Sequence, residues 1–221
     1  MDHIFYKKEQ IMKTADIEAK FGGLLRVLMV PEIIDRDGNK LEFSDGFLKT
    51  INIIIEQCLK EKNKLIFIGN GGSAAIASHQ AVDFFTNLNI KTITFNDPFL
   101  LTCISNDFGY ENVFSRPMAI QAGKGDILAA ISSSGKSKNI LNATQIAKEK
   151  GCHIITMSGF NPDNPLRKEG DVNFYVASDS YRFVEATHSI YWDFILELLI
   201  DLNKKFNGDW NKLELEQLSQ D

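Results

Sequence analysis

Short apolar runs that stop at glycine or serine clusters alternate along this chain with longer stretches of helical periodicity. The runs at 65–68, 91–95, 126–131, 152–157 and 172–176 read as strands, and their near-continuous hydrophobicity is that of parallel strands covered on both faces. Between and after them, the segments beginning at Ser73, Phe99, Val113, Asn139 and Val184 carry helical spacing, the last continuing to Leu202. Strands and helices alternating at these intervals predict a three-layer α/β sandwich around a central parallel five-stranded sheet, of flavodoxin-like form.

Two further helical patterns precede the first strand. One runs over 7–30 with apolar positions at Ile11, Ala15, Ile17, Phe21, Leu24, Leu25 and Leu28, interrupted by Gly22-Gly23 and stopped by Pro31. After a turn at Asp35-Arg36-Asp37-Gly38-Asn39, a second runs over 44–61 with Phe47, Leu48, Ile51, Ile54, Ile55, Cys58 and Leu59 apolar. The pattern fits equally a cover for this chain's own sheet and a packing face for another subunit. We read residues 1–62 as a helical lead belonging to the same domain as residues 63–221.

With 221 residues there is room for one large domain with a proper core. The formal net charge of −5 gives no global basic field to recruit nucleic acid or an anionic membrane, so a phosphate ligand has to be held locally. Cys58, Cys103 and Cys152 are odd in number, lie in apolar segments and form no C-x-x-C pair. They read as reduced, buried thiols of a cytoplasmic protein. Neither a signal-like pattern nor a stretch of membrane-spanning length is seen.

Two loops carry the candidate chemistry. The first strand breaks into Gly69-Asn70-Gly71-Gly72, with Ser73 expected as the N-cap of a helix favoured by Ala74, Ala75, Ala77 and Ala81. Free backbone N–H groups and the positive end of that helix suit an anion or a polar sugar. The loop fits neither the P-loop nor G-x-G-x-x-G, and glycines after a strand are more often simply a tight turn, so alone it is weak evidence. His79 and Asp83 follow one turn apart on the same helix face. The third strand runs into Ser132-Ser133-Ser134-Gly135-Lys136-Ser137, four hydroxyls ahead of a helix that can surround a phosphate without a permanent positive charge, with Lys136 at hand. The alternative is a polar turn with a helix cap. Both loops are placed at the carboxyl ends of strands, where ligands of open α/β sheets bind.

In this order and spacing, Gly69-Asn70-Gly71-Gly72-Ser73, Asn106-Asp107-Phe108-Gly109, Ile131 through Ser137, and Lys150-Gly151-Cys152-His153-Ile154-Ile155-Thr156 resemble the sugar isomerase (SIS) domain family. Within it they are most similar to the phosphoheptose isomerases, which convert sedoheptulose 7-phosphate to glycero-manno-heptose 7-phosphate. The similarity covers residues 63–202. It implies a homotetramer built on a helical bundle, active sites completed by a neighbouring subunit, a zinc ion in many members, and service to lipopolysaccharide or capsule synthesis. By position, Ser132, Ser134 and Ser137 fall on the family's phosphate-binding serines and Ser73 on the serine of its glycine loop, with Gly71 and Gly72 beside it. Asn70, Asp97 and Glu185 fall on substrate contacts. His79 matches a metal-binding histidine, and Asp83 stands where the family has a glutamate that is both ligand and base. His188 matches a histidine of the last helix, and Asp193 stands where the family has a second histidine, its zinc ligand and catalytic acid. The implied metal set is His79, Asp83, Glu185 and Asp193, with Asp83 and Asp193 the catalytic pair. A register set on Arg182 would put Val184 and Trp192 in the last-helix positions and lose His188.

The departures have chemical weight. Aldose-ketose interconversion through an enediol needs a base beside the carbonyl carbon and an acid at the carbonyl oxygen. Asp83 is one methylene shorter than glutamate, and Asp193 is an acid only where burial or a second carboxylate raises its pKa. One nitrogen among several oxygens suits zinc, and also manganese. Read without the resemblance, Glu185 and Asp193 are a solvated helix face, and His188 orients Glu185 or meets another subunit. The rival reading is a non-catalytic SIS protein that binds a sugar phosphate or a protein partner as a regulator; an isomerase of another sugar phosphate keeps the chemistry and changes the substrate.

Overall fold

Residue parity along the strands decides which side of the sheet each side chain covers. Leu65 and Phe67, Ile127, Ala129 and Ile131, Ile155 and Met157 are buried in one hydrophobic cluster; Ile66 and Ile68, Leu128 and Ala130, and Ile154 are buried in the other. Both faces are therefore dry, as the unbroken apolar runs require. The computed structural model describes residues 13–213.

Five parallel strands form the centre: β3 (Leu65–Gly69), β4 (Thr92–Thr94), β5 (Ile127–Ser132), β6 (His153–Gly159) and β7 (Val172–Val176). Before them in the chain, β1 (Glu32–Asp35) pairs antiparallel with β7 and β2 (Lys40–Leu41) pairs antiparallel with β1. The sheet thus has seven strands in the order β2-β1-β7-β6-β5-β3-β4. The expected turn at Asp35 to Asn39 is the bend of this added hairpin, with the Asp35 carboxylate accepting from the N–H groups of Asp37 and Asn39.

Helices α2 (Phe43–Ile54), α3 (Gly72–Leu88) and α7 (Tyr181–Lys205) cover the odd-residue face. α4 (Pro98–Phe108), α5 (Ser115–Gln121) and α6 (Lys138–Glu149) cover the other. α2 continues as a wider π-helical turn over Ile55–Lys60. Trp192 of α7, fully buried, packs its ring 4.9 Å from Phe67 and 6.0 Å from Phe84, which seats α7 on β3 and α3. Phe47 sits edge-on to Phe174 and Tyr191 and seats α2 beside it.

Several expectations change. Asn106, Asp107 and Phe108 of the family-like motif complete α4, whose Asp97 N-cap and Pro98 start it firmly. Cys58 and Cys152 are buried, and loss of water pushes their thiols up to about 12 and about 11. Cys103 is exposed, against the expectation for all three, because its turn of α4 faces outward. Of the helix expected over 7–30, α1 (Thr14–Met29) is seen; residues 7–12 lie outside the described residues. None of its residues is buried, and Ile17, Phe21, Leu25 and Met29, four apart, form an exposed apolar stripe with Phe21 66% and Leu25 59% accessible. Among the described residues no helix is long and apolar enough to cross a membrane.

The amino ends of β3 and β5 are tied by Asp126, which is 3% exposed. Its carboxylate accepts from the backbone N–H of Lys64 (2.8 Å) and of Gly123 (2.7 Å) and meets Lys64 Nζ at 2.6 Å. Replacing Asp126 by alanine leaves two part-buried N–H groups without acceptors, so it is expected to cost roughly 3 to 5 kcal/mol. Urea denaturation of the variant beside wild type measures this.

Candidate functional site

The strand order reverses at β3. From β3 the chain crosses by α3 on one face to β4, then by α4 and α5 on the other face to β5 on β3's opposite side. Such a reversal leaves a crevice between the carboxyl ends of the two strands, where Gly69 pairs with Ile131. The glycine loop and the serine loop leave the sheet at that point. A cleft of about 130 Å³ lies there, lined by Asn70, Ser73, Ser132, Ser133, Ser134, Ser137, Tyr181 and Glu185. Two larger clefts, of about 440 and 460 Å³, lie away from this end; one is lined by Arg36, Lys148, Glu169 and Asp171, whose charges already pair with one another.

The serine loop is shaped by its neighbours. Gly135 has φ +62°, and a Cβ there would collide with the buried Asn164 side chain, so only glycine fits. Asn164 in turn donates to Ser158 Oγ and to the carbonyls of Gly159 and Asn161. Leu166 N–H closes onto the Gly135 carbonyl at 3.1 Å. Within the loop, Ser132 and Ser137 hydroxyls lie 3.4 Å apart, and Lys136 N–H donates to Ser134 Oγ. Ser133 lines the cleft, and its hydroxyl, closed off from water, has no partner among the described residues. A buried hydroxyl left unpaired costs free energy, which a bound acceptor would recover. Lys136 is exposed and does not line the cleft, so its ammonium is not part of the site as expected. The donors are neutral: hydroxyls, and the N–H groups at the start of α6 after its N-cap Ser137.

The glycine loop is arranged differently from the expectation. Gly71, not Ser73, is the N-cap of α3, and Ser73 lies inside the first turn with its hydroxyl at the cleft. A Cβ on Gly72 would lie 2.5 Å from both Glu185 carboxylate oxygens, so the first turn of α3 holds the Glu185 carboxylate against it. A carboxylate is favoured at that helix end. Asn70 exchanges two hydrogen bonds with Asn139, and its Oδ1 also accepts from the Tyr110 hydroxyl at 2.9 Å. Asp97 is exposed and spends one carboxylate oxygen capping α4, accepting from Phe99 N–H and Leu100 N–H at 3.0 Å each.

The remaining candidates do not converge within one chain. His79 Nε2 lies 3.1 Å from Asp83 Oδ2 on the outer face of α3, with the imidazole 63% accessible. Asp193 is exposed on α7, two turns beyond Glu185, and accepts from Gln80 Nε2. Val184 and Trp192 are buried, so Glu185 and Asp193 are the neighbours in that register that reach the surface. Among the described residues no three His, Cys, Asp or Glu side chains gather closely enough to hold a metal ion.

His188 neither orients Glu185 nor lies at the surface. It is fully buried, with Nε2 3.2 Å from the Ser158 carbonyl and Nδ1 unpartnered. A carbonyl only accepts, so Nε2 carries the proton and Nδ1 is bare. Charging the ring would bury an N–H with no acceptor, and burial holds the pKa down to about 4 despite the Ser158 bond. Ser158 pairs with Ser132 across the sheet, so His188 braces the floor of the cleft.

Tyr110, Asn139 and Tyr181 were not singled out from the sequence, and Ser133 was read only as one of the four hydroxyls of its loop. Asn139 stands next to Ile140 on the inner face of its helix, but the pattern does not say what that face meets.

Comparison with known proteins agrees with this geometry. The SIS domain family matches residues 41–159. A phosphoheptose isomerase of Synechocystis is 35% identical over 159 residues, covering 69% of this chain and 81% of the relative; one of Aliarcobacter butzleri is 33% identical over the same length, covering 83% of the relative. Among solved structures, the phosphoheptose isomerase of Neisseria gonorrhoeae matches with TM-score 0.71 and 25% identity, over 85% of this chain and 97% of that one.

The depressed pKa of His188 has a consequence for stability. Between the unfolded value of 6.5 and the folded value of about 4, the unfolded chain binds the extra proton. Stability from this group is complete above pH 6.5 and falls as pH drops toward 4, by an amount on the order of 3 kcal/mol. Urea titrations at pH 7 and pH 4.5 should show a smaller loss in His188→Gln than in wild type.

Proposed function

The chain belongs to the SIS domain family, and from that premise we propose that it is a phosphoheptose isomerase, interconverting sedoheptulose 7-phosphate and D-glycero-D-manno-heptose 7-phosphate. The observation that carries the reading is the hydroxyl-lined cleft at the reversal of strand order, whose donors are uncharged and whose Ser133 hydroxyl has no partner among the described residues. The phosphate is held by Ser132, Ser133, Ser134 and Ser137 with the first N–H groups of α6. Asn70, Ser73 and Glu185 meet the sugar. The product is a heptose phosphate for lipopolysaccharide or capsule, made in the cytoplasm.

Proton transfer needs a base and an acid at C1 and C2 of the sugar, and Asp83 and Asp193 take these roles in our reading. In one chain both face outward, so the reading requires a neighbouring subunit to close the site. The α1 stripe, together with exposed Val82 and Phe85 on α3 and Phe194 on α7, supports a homotetramer. A metal belongs to the same proposal. His79 and Asp83 offer one nitrogen and one oxygen side by side, and carboxylates from Glu185 and Asp193 would complete a set suited to zinc only in the assembly. Bound there, the metal would polarise the carbonyl oxygen.

Two experiments test this. Wild type is expected to isomerise sedoheptulose 7-phosphate; Asp83→Asn should abolish turnover while leaving affinity within about tenfold, because the base acts on the transition state. The triple variant Ser132→Ala, Ser134→Ala, Ser137→Ala should lose at least roughly a hundredfold in affinity, measured by calorimetry, since each bond to a charged phosphate contributes about 1.5 to 3 kcal/mol. Binding without turnover in wild type would favour the regulator.

The assembly is tested on α1. Phe21→Glu with Leu25→Glu should break the oligomer into smaller species by light scattering, with the α/β core still folded by circular dichroism. A double variant of unchanged mass would remove α1 from the interface.

A further inference from the structure

Asn139 is 2% exposed, yet it sits in the first turn of α6 with an amide where the neighbouring inward positions are apolar. Its Oδ1 accepts from the backbone N–H of Ile140 at 3.0 Å and from Asn70 Nδ2 at 3.0 Å, and its Nδ2 donates to Asn70 Oδ1 at 2.9 Å. A pair of amides bonded reciprocally could be turned over together without losing either mutual bond. The Ile140 N–H, which Asn139 Oδ1 shares with the Ser137 carbonyl at 3.1 Å, breaks that symmetry, because a flipped Asn139 would turn its Nδ2 protons against a group that only donates. Fixing Asn139 fixes Asn70. Asn70 Oδ1 then takes two donors, from Asn139 and from the Tyr110 hydroxyl, while Asn70 Nδ2 gives one of its two protons to Asn139. The second proton has no acceptor among the described residues.

Asn70 lines both the serine cleft and an adjoining cleft of about 290 Å³ that Tyr110, Glu111, Ser137, Lys138 and Asn139 complete. We propose that Asn139 is a positioning residue: it sets the direction of the Asn70 amide, so that Asn70 presents an N–H donor, and not its carbonyl, to an acceptor oxygen of the bound sugar phosphate. Tyr110 supports the arrangement from α5's side of the cleft without determining its polarity. The inference rests on the sugar-phosphate reading of the cleft. It adds a mechanism by which the β3 and β5 loops are held in register with one another.

The test uses Asn139→Asp, Asn139→Ala, Tyr110→Phe, Asn70→Ala and the double variant Asn70→Ala with Asn139→Asp, each checked for folding by thermal denaturation. In Asn139→Asp an ionised carboxylate would put oxygen against Asn70 Oδ1 and turn the Asn70 amide over. At pH 8, kcat/KM for sedoheptulose 7-phosphate is expected to fall roughly 10- to 100-fold, mainly through KM. At lower pH the introduced carboxyl, buried and therefore titrating above an ordinary aspartate, becomes an O–H donor that replaces Nδ2. The ratio to wild type at each pH should recover to within about threefold. Charged groups lining the adjoining cleft are Lys138 on α6 and Glu111 across it, and both remain in every variant. Tyr110→Phe should lose no more than about fivefold, and the double variant should be no worse than Asn70→Ala.

A double variant in which the two losses multiply, or an Asn139→Asp enzyme with wild-type KM at all pH values, would overturn the proposal. The side-chain amide signals of Asn70, assigned in 15N spectra by their loss in Asn70→Ala, separate this inference from the functional reading. They should be slow to exchange in wild type and shifted and faster to exchange in Asn139→Asp and in Asn139→Ala, whatever sugar phosphate the enzyme takes. Unchanged Asn70 signals in Asn139→Ala refute the positioning role, including where Asn139→Asp folds poorly. If wild type turns over no sugar phosphate while those signals move as expected, the positioning stands and the assignment of substrate fails.

Discussion

The structure depends on one constraint of parallel sheets: all five parallel strands end at the same rim, and two crossovers that run in opposite directions, β3 to β4 and β4 to β5, must lie on opposite faces. That geometry leaves the carboxyl ends of β3 and β5 open between two helix starts, those of α3 and α6. Everything at the site follows from how these two starts are used. The α6 end is surrounded by hydroxyls, and the α3 end is faced by the Glu185 carboxylate. An anion placed at α3 would meet Glu185 within a few ångströms, where like charges repel strongly at reduced dielectric. A phosphate would thereby be directed to α6, and the uncharged part of a sugar toward Glu185.

Lysine and arginine do not line the serine cleft. A site of neutral donors binds a dianion by many oriented bonds at once, and its selectivity comes from position more than from net charge. This explains why so much of the surrounding structure is spent on fixing positions. Gly135 yields its side chain to Asn164, His188 braces the strand beneath the loop, and Asn139 ties the two loops across the gap.

The fold was largely legible from the chain. The last strand was read to the residue, because Val172, Phe174, Tyr175 and Val176 leave one polar residue, Asn173, in a run bounded by polar turns. β1 and the edge strand β2 were missed because Glu32 to Asp35 is short and charged at both ends and Lys40-Leu41 is two residues long, too little pattern for propensity to flag. The serine loop announced itself through four hydroxyls, whereas Asn139 required knowing that its helix turned that face to Asn70. Periodicity placed His79 and Asp83 on one face of α3, and the structure agrees. What periodicity does not contain is whether an exposed face looks at solvent or at another copy of the chain. The positions of Asp83 and Asp193 depend on that.

The stripe on α1 also bears on how the molecule comes apart. A helix of 16 residues with two adjacent glycines at its centre and no buried side chain meets the core through half-buried Val27 and Leu28, with the Leu28 carbonyl accepting from the Tyr191 hydroxyl at 2.8 Å, and has little else to hold it. Its helical state draws on whatever covers Phe21 and Leu25, while the α/β core has its own apolar interior on both faces of the sheet. In the proposed assembly, dilution would therefore act on α1 before it acts on the sheet, and a dissociated chain would be most open to proteolysis within α1.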